Sequence, residues 1–350
     1  MAAASGLPVS LGQDCDAGLR QVFDRAFAPV HQFIEAGRIP GGVLGMVDLE
    51  HGRIRAATGL AARLPESRPM RLDTWFDLAS LTKVLFTTPR ILSLAAAGRI
   101  ELDAPLASTI PDLRQYDLNA WERKVTFRQC LGHQTPFPAV EPIFTYGGDP
   151  HLLRHFILQR SWPAGPSSYS DINFILLGIA LERIEGRPLR EQDPGPGFGF
   201  SAPPEMAAAT EYCAWRQRIL CGEVHDENCA ALAGAGNAGL FGTIEAILDQ
   251  AEDWLRKGRT GDPIVGLMRQ PLSPTRTHGW ERPHIGWSGG DGAGAATIGH
   301  TGFTGTGLWL DFDRGRAWSL LTNRVHPGRH ADSGIFALRR LVGDAVSATA

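Results

Sequence analysis

Cysteine is scarce in this 350-residue chain: there are five, at Cys15, Cys130, Cys213, Cys221 and Cys229. An odd, scattered set makes no disulfide framework and suits a reducing compartment. Long hydrophobic runs are also missing. No apolar stretch reaches the ~18 residues of a membrane-spanning helix, so no membrane association is expected. Met1–Pro8 has neither a basic segment nor a sustained apolar one, so no secretory signal is read there and a cytoplasmic location is expected. Charge of one sign is lacking too: 34 Lys and Arg face 37 Asp and Glu, a net charge of -3. With no basic run or aromatic–basic array, nucleic acid is not an expected partner. The adjacent Arg339-Arg340 reads as a solvated helix face.

What remains is an ordinary globular composition, 43% hydrophobic and 20% charged, long enough for one large or two intimate domains. Residues 17 to 37 carry Leu19, Val22, Phe23, Ala26, Phe27, Val30 and Phe33 at helical spacing and stop at Gly37. Gly41–Asp48 and Arg53–Gly59 read as strands around a turn at Glu50-His51-Gly52. The middle is mostly helical, with helices near 149–160, 172–186 and 243–257, and a Pro- and Gly-rich loop from Glu191 to Pro204. Strand signals return at 297–299, 307–311 and 317–322, the last two joined through Asp313-Arg314-Gly315-Arg316, before a final helix over 332–346. The expected fold class is α/β (α+β): an antiparallel sheet built from both termini, flanked by helices, with a mostly helical region inserted. The expected division is a tail at 1–16, a sheet region at 17–75 and 265–350, and a helical region at 76–264, all in one catalytic unit.

Ser80-Leu81-Thr82-Lys83 heads an apolar run that ends at Gly98. Residues three apart on a helix share a face, so the Lys83 ammonium falls within reach of the Ser80 hydroxyl. The unpaired N–H groups of the first turn suit a developing oxyanion. A serine hydroxyl needs a base, and a desolvated lysine can approach that role. Tyr169, in the turn-rich loop Pro163–Asp171 ahead of a helix, is a second candidate base, its phenolate favoured by a neighbouring Lys83. In Ile298-Gly299-His300-Thr301-Gly302-Phe303, small residues admit a substrate backbone, and a backbone N–H completes an oxyanion hole with that of Ser80.

Ser80-Leu-Thr-Lys83, Tyr169-Ser-Asp171 and His300-Thr-Gly302 resemble, in order and spacing, the three motifs of the serine β-lactamase, penicillin-binding protein and class C-like esterase superfamily. Leu131-Gly132-His133-Gln134-Thr135-Pro136 and Leu102-Asp103-Ala104-Pro105-Leu106 are similar to segments that accompany those motifs, and the likeness spans roughly residues 20 to 345. The resemblance implies a β-lactamase/transpeptidase-like fold. It makes Ser80 the acylated nucleophile, Lys83 its proton-shuttling partner, Tyr169 base and then acid, and Phe303 the second oxyanion donor, with Thr301 and Gly302 on the substrate side. Two departures stand out: Asp171 replaces the usual Asn, and His300 replaces the usual Lys, which weakens a fixed positive charge for penicillin-like carboxylates. Gly222–Asn228 and Gly236–Gly242 resemble segments of cell-wall-fragment amidases, so His225 and Asp226 either line the substrate cleft or fix a loop. No cofactor and no metal are implied.

The expectation is therefore a serine hydrolase cleaving a small acyl substrate, foremost an amide in a peptidoglycan-derived fragment. The alternatives are a carboxylesterase, a true β-lactamase or D,D-peptidase, and a non-catalytic binding protein of the same fold. Two other patterns compete. Gly286-Trp287-Ser288-Gly289-Gly290 has the G-x-S-x-G form of a nucleophile elbow, but the glycine-rich chain after it holds a helix poorly. Cys221, His225 and Cys229, four apart, would share one helical face and offer three zinc ligands, although adjacent turns wrap an ion badly and no fourth ligand is near.

Overall fold

In the computed structural model, residues 10–348 are described; Met1–Pro8, read above for a leader, lies outside them. Strand β1 (Ser10–Cys15) leads into helix α1 (Ala17–Glu35), strands β2 (Gly41–Asp48) and β3 (Gly52–Ala62), and the short strands β4 (Arg68–Pro69) and β5 (Phe76–Asp77). Helices α2 (Thr88–Ala96), α3 (Phe127–Leu131), α4 (Pro150–Gln159) and α5 (Asp171–Glu185) follow, then strands β6 (Phe198–Gly199), β7 (Ala209–Cys213) and β8 (Arg218–Cys221). Helix α6 (Glu227–Ala231), strand β9 (Phe241–Gly242), and helices α7 (Ile244–Arg259) and α8 (Pro263–Arg269) lead to strands β10 (Thr297–Thr301), β11 (Thr306–Asp311) and β12 (Arg316–Thr322) and to helix α9 (Ile335–Ser347).

The main sheet runs β1-β3-β2-β12-β11-β10, every pair antiparallel, so the two ends of the chain meet at the β2–β12 ladder. Residues 10–15, expected to be tail, instead add an edge strand along β3. Side chains alternate across a strand, and here both sets are covered. Leu44, Met46, Ile54, Trp318 and Leu320 pack under α1 and α9. Val43, Val47, Ala57, Leu308 and Leu321 face α7 and the helical region. Every residue of β2 is buried in consequence, which is why its sequence is a continuous apolar run rather than an alternation.

Three departures from the expected elements have local causes. The final helix starts at Ile335, three residues late, because Gly334 at its N-cap is left-handed (φ 61°). Arg339 is not on a solvated face: α9 turns it inward, where it is buried, and only Arg340 reaches an exposed partner, Asp291. The helix carrying Lys83 opens as a π-helix, Lys83–Thr87, with the Thr88 N–H bonded to the Lys83 carbonyl. Pro89 lies at the start of α2 and has no N–H for the carbonyl four residues back, so the chain widens ahead of it.

Candidate active site

Ser80 sits in the turn before that π-helix, following a residue under backbone strain. Ala79 has φ 47°, unusual for a side chain with a Cβ, and its N–H is held by the Asp77 carboxylate at 2.8 Å. The next turn closes tightly, with the Lys83 N–H on the Ser80 carbonyl at 3.1 Å. That brings Lys83 Nζ to 2.9 Å from Ser80 Oγ, so the three-residue spacing is realised by a 3₁₀-like turn rather than by an α-helix.

Lys83 is fully buried and is held by two distant segments: it donates to the Asn237 carbonyl at 2.9 Å and forms an ion pair with Asp171 Oδ1 at 2.8 Å. The Asn237 contact depends on two glycines. Gly178 of α5 and Gly236 lie so close that a Cβ on Gly178 would come within 2.6 Å of the Gly236 nitrogen. Burial works against the Lys83 charge, but the Asp171 carboxylate and the Tyr169 oxygen more than offset it, holding its pKa above the ordinary lysine range. Lys83 therefore rests as an ammonium. Of the two readings of Lys83, ammonium and desolvated amine base, the structure favours the first, because Asp171, standing where an amide was usual, supplies the counter-charge.

Tyr169 closes the group. Its ring lies 5.2 Å below Lys83 Nζ, 5.3 Å from the Arg276 guanidinium carbon, and 4.4 Å from the His133 ring. Burial pushes the phenol up; the charge of Lys83 and hydrogen bonds from Lys83 and Ser80 pull it down by less. The net direction is upward, so the resting group is a phenol and not the phenolate expected from Lys83 alone. His133 Nδ1 accepts from the Ser170 N–H at 3.1 Å, which locks the loop that carries Tyr169. Burial keeps this imidazole well below its usual range and neutral.

His300 is the third motif's contribution. Its ring is 6.0 Å from that of Tyr169, and its Nδ1 approaches the Thr301 carbonyl at 3.0 Å, which assigns the proton to Nδ1. Burial, with Arg276 and Lys83 nearby, holds it well below the ordinary imidazole value. The position usually held by lysine is here neutral. The small residues of this motif also serve a different end from the one expected. A Cβ on Gly299 would meet the Trp309 ring at 2.2 Å, and one on Gly302 would meet Thr306 Oγ1 at 2.1 Å and the Leu78 carbonyl at 2.6 Å. These glycines seat a core tryptophan and press the turn after β10 against the segment entering Ser80. Phe303, in that turn, is half exposed, and its ring stacks on His225 at 5.6 Å.

His225 and Asp226 fix structure. The buried His225 ring bonds Glu211 through Nε2 at 2.9 Å, and the backbone N–H of His225 donates to Asp77 Oδ2 at 2.6 Å. Asp226 caps α6 through the Cys229 N–H at 2.7 Å. The Cys221, His225 and Cys229 spacing never becomes a helix face, because these residues fall at the end of β8, in a loop and within α6. Among the described residues no cluster of His, Cys, Asp and Glu is placed to hold a metal ion. Ser288 lies in a turn with no strand before it and no helix after it, its hydroxyl accepting from Trp309 Nε1 at 3.3 Å. Sequence reasoning missed Arg276, which projects from an irregular loop without a motif, and the backbone contribution of Asn237.

Asp226 has a measurable consequence. Burial and the charge of Asp171 push its carboxyl up to about 6. A folded pKa above the unfolded one gives stability that is full below the unfolded value and lost as pH rises through the folded one. Above pH ~6 the parent therefore carries a penalty that Asp226→Asn, which still caps α6, removes. The variant should melt roughly 2–5 °C higher than the parent at pH 8, with the gap closing near pH 4. Equal melting temperatures at pH 8 would contradict the raised carboxyl.

Comparison with known proteins agrees with this geometry. Residues 23–192 match the family described as Beta-lactamase. The N-acetylmuramyl-L-alanine amidase of Bacillus subtilis (strain 168) is 28% identical over an alignment covering 89% of this chain and 84% of that protein. Esterase EstB of Burkholderia gladioli is 37% identical over 54% of this chain and 51% of its own. The β-lactamase of Sulfitobacter sp. EE-36 shares the fold, with a TM-score of 0.72 at 21% identity, covering 94% of this chain and 99% of that one. With a serine, an ammonium and a phenol converging on one point of that fold, the chain carries a Beta-lactamase family domain and is a serine hydrolase.

Proposed function

We propose that this hydrolase is an amidase that cleaves small N-acyl peptides of the muropeptide class through an acyl-Ser80 intermediate. The observation that carries the reading is the 2.9 Å approach of Lys83 Nζ to Ser80 Oγ beside a phenol that rests protonated. An amine leaves only if it is protonated, and a neutral Tyr169 holds the proton it needs.

The steps follow from those protonation states. Ser80 Oγ attacks the amide carbon and passes its proton to the Tyr169 oxygen while the Tyr169 proton moves to the departing nitrogen. The carbonyl oxygen becomes an oxyanion facing the N–H groups of Ser80 and Phe303, and the C–N bond then breaks. The Lys83 ammonium stabilises negative charge developing on both oxygens without itself giving up a proton. Water enters with Tyr169 again relaying a proton, and Ser80 is restored as the acid is released. Similarity to the Bacillus subtilis amidase over most of the chain supports an amide substrate. A carboxylesterase is the second reading, favoured by the higher identity to esterase EstB over a shorter stretch.

A panel of muramyl peptides, D-amino-acid amides, p-nitrophenyl esters and nitrocefin tests this, with intact-mass analysis of quenched enzyme. Release of the peptide amine, with a muramoyl adduct on the tryptic peptide containing Ser80, is the expected outcome. Turnover of esters alone would move the assignment to the esterase. A chain that no activated ester acylates would be a binding protein.

A further inference from the structure

Arg339 is unused by the scheme above, yet it lies directly behind it. From α9 it enters the core between the sheet and the turn that follows β10, and is 3% exposed. A single nitrogen, Nη2, donates to both the Gly302 carbonyl at 2.7 Å and the Thr306 carbonyl at 2.8 Å. Its partners are carbonyls and not carboxylates, so its charge is not cancelled where it is held.

The Gly302 carbonyl and the Phe303 N–H belong to one peptide unit. That unit is planar, and in the trans form its C=O and N–H point in opposite directions. Fixing the carbonyl on Arg339 therefore aims the Phe303 N–H away from α9. Gly302 itself packs against the Leu78–Ala79 segment immediately before Ser80, so the peptide held by Arg339 adjoins the nucleophile's own turn. The Gly302 carbonyl also accepts from the Gly305 N–H at 3.1 Å, and Thr306 O from the Gly302 N–H at 2.8 Å. The guanidinium thus clamps both ends of the turn. A cation on a carbonyl draws electron density along the peptide and makes the N–H at its other end a stronger donor.

We propose that Arg339 is a positioning residue for the oxyanion hole: it orients and polarises the Gly302–Phe303 peptide, and supplies from behind the sheet the fixed positive charge that His300 does not. Its charge reaches the site, since it is one of the groups holding His300 neutral. Burial lowers the guanidinium to about 9, which leaves it charged at neutral pH. The inference rests on the reading of Phe303 N–H as an oxyanion donor.

Arg339→Lys and Arg339→Gln, with Arg339→Met as a third variant, separate charge from packing. Gln keeps a hydrogen-bond donor and loses the charge; Lys keeps both with a shorter head. With a p-nitrophenyl ester, Arg339→Gln should lower kcat about 10- to 100-fold with KM within about threefold, and Arg339→Lys should recover most of the loss. Affinity for a boronic acid that forms a tetrahedral adduct should fall in parallel with kcat, which a loosened fold with an intact donor would not produce. In the parent, the boronate adduct should also move the Phe303 amide proton strongly downfield, and this needs no variant to fold. A kcat for Arg339→Gln equal to that of the parent or of Arg339→Lys would overturn the inference, as would an unmoved Phe303 amide. Should Ser80→Ala retain turnover, the serine mechanism itself would fall; an enzyme that needs Ser80 but is indifferent to Arg339→Gln loses only this proposal.

Discussion

Ser80→Ala is expected to abolish turnover, with kcat falling by about four to six orders of magnitude, and to abolish the covalent adduct with activated esters and phosphonates. The size follows from what is lost. Ser80 supplies the bond-forming oxygen, and the acyl-enzyme cannot form without it. Folding should survive, because Lys83 keeps Asp171 at 2.8 Å and the Asn237 carbonyl at 2.9 Å, so no buried charge is orphaned. The matched control is Ser288→Ala. That hydroxyl accepts a 3.3 Å hydrogen bond from Trp309 Nε1 in a loop, and its loss should leave kcat within about twofold. Labelling that persists in Ser80→Ala and vanishes in Ser288→Ala would transfer the nucleophile to the loop.

Tyr169→Phe should cost about 10²- to 10⁴-fold in kcat while barely changing KM or melting temperature. The phenyl ring keeps its packing on His133 and its place beneath Lys83 and Arg276; only the proton-relaying oxygen disappears. A near-parent rate would remove Tyr169 from the chemistry. The same residue sets the pH profile of the parent. Tyr169 lies above its ordinary value and Lys83 above its own, so neither changes charge near neutrality. Between about pH 7 and 9 the rate of acylation should be flat, as a relay through a neutral phenol requires. A tenfold rise per pH unit would instead mean that the scarce phenolate is the base.

The chemistry was legible where it is local. Ser80 and Lys83 sit within one turn, so their spacing alone foretold that they could touch, whether the backbone there is α-helical or wound otherwise. The periodicity of α1, α5 and α7 and the apolar runs of β2, β11 and β12 came from the same kind of short-range pattern. Charge was not legible. The sequence left Lys83 readable as an ammonium or as a desolvated amine base, because nothing near it in sequence shows that Asp171, 88 positions later, ends 2.8 Å away. The glycines around His300 suggested room for a substrate, whereas their neighbours in space are Trp309 and Leu78. His225 and Asp226 had two readings that composition could not separate; their partners Glu211, Asp77 and Cys229 give them a structural role.

The sequence by itself determined which residues carry reactive groups, the order in which they arrive, and an antiparallel sheet drawn from both ends of the chain. Tertiary structure alone decided which of those groups are charged and which way they point. Arg339 shows why. Beside Arg340 it looked like surface, yet the pitch of α9 turns it beneath the Gly302–Thr306 turn, onto carbonyls that only folding brings there. Protonation and hydrogen-bond direction depend on what surrounds a group within a few ångströms, and for these side chains those surroundings come from distant parts of the chain.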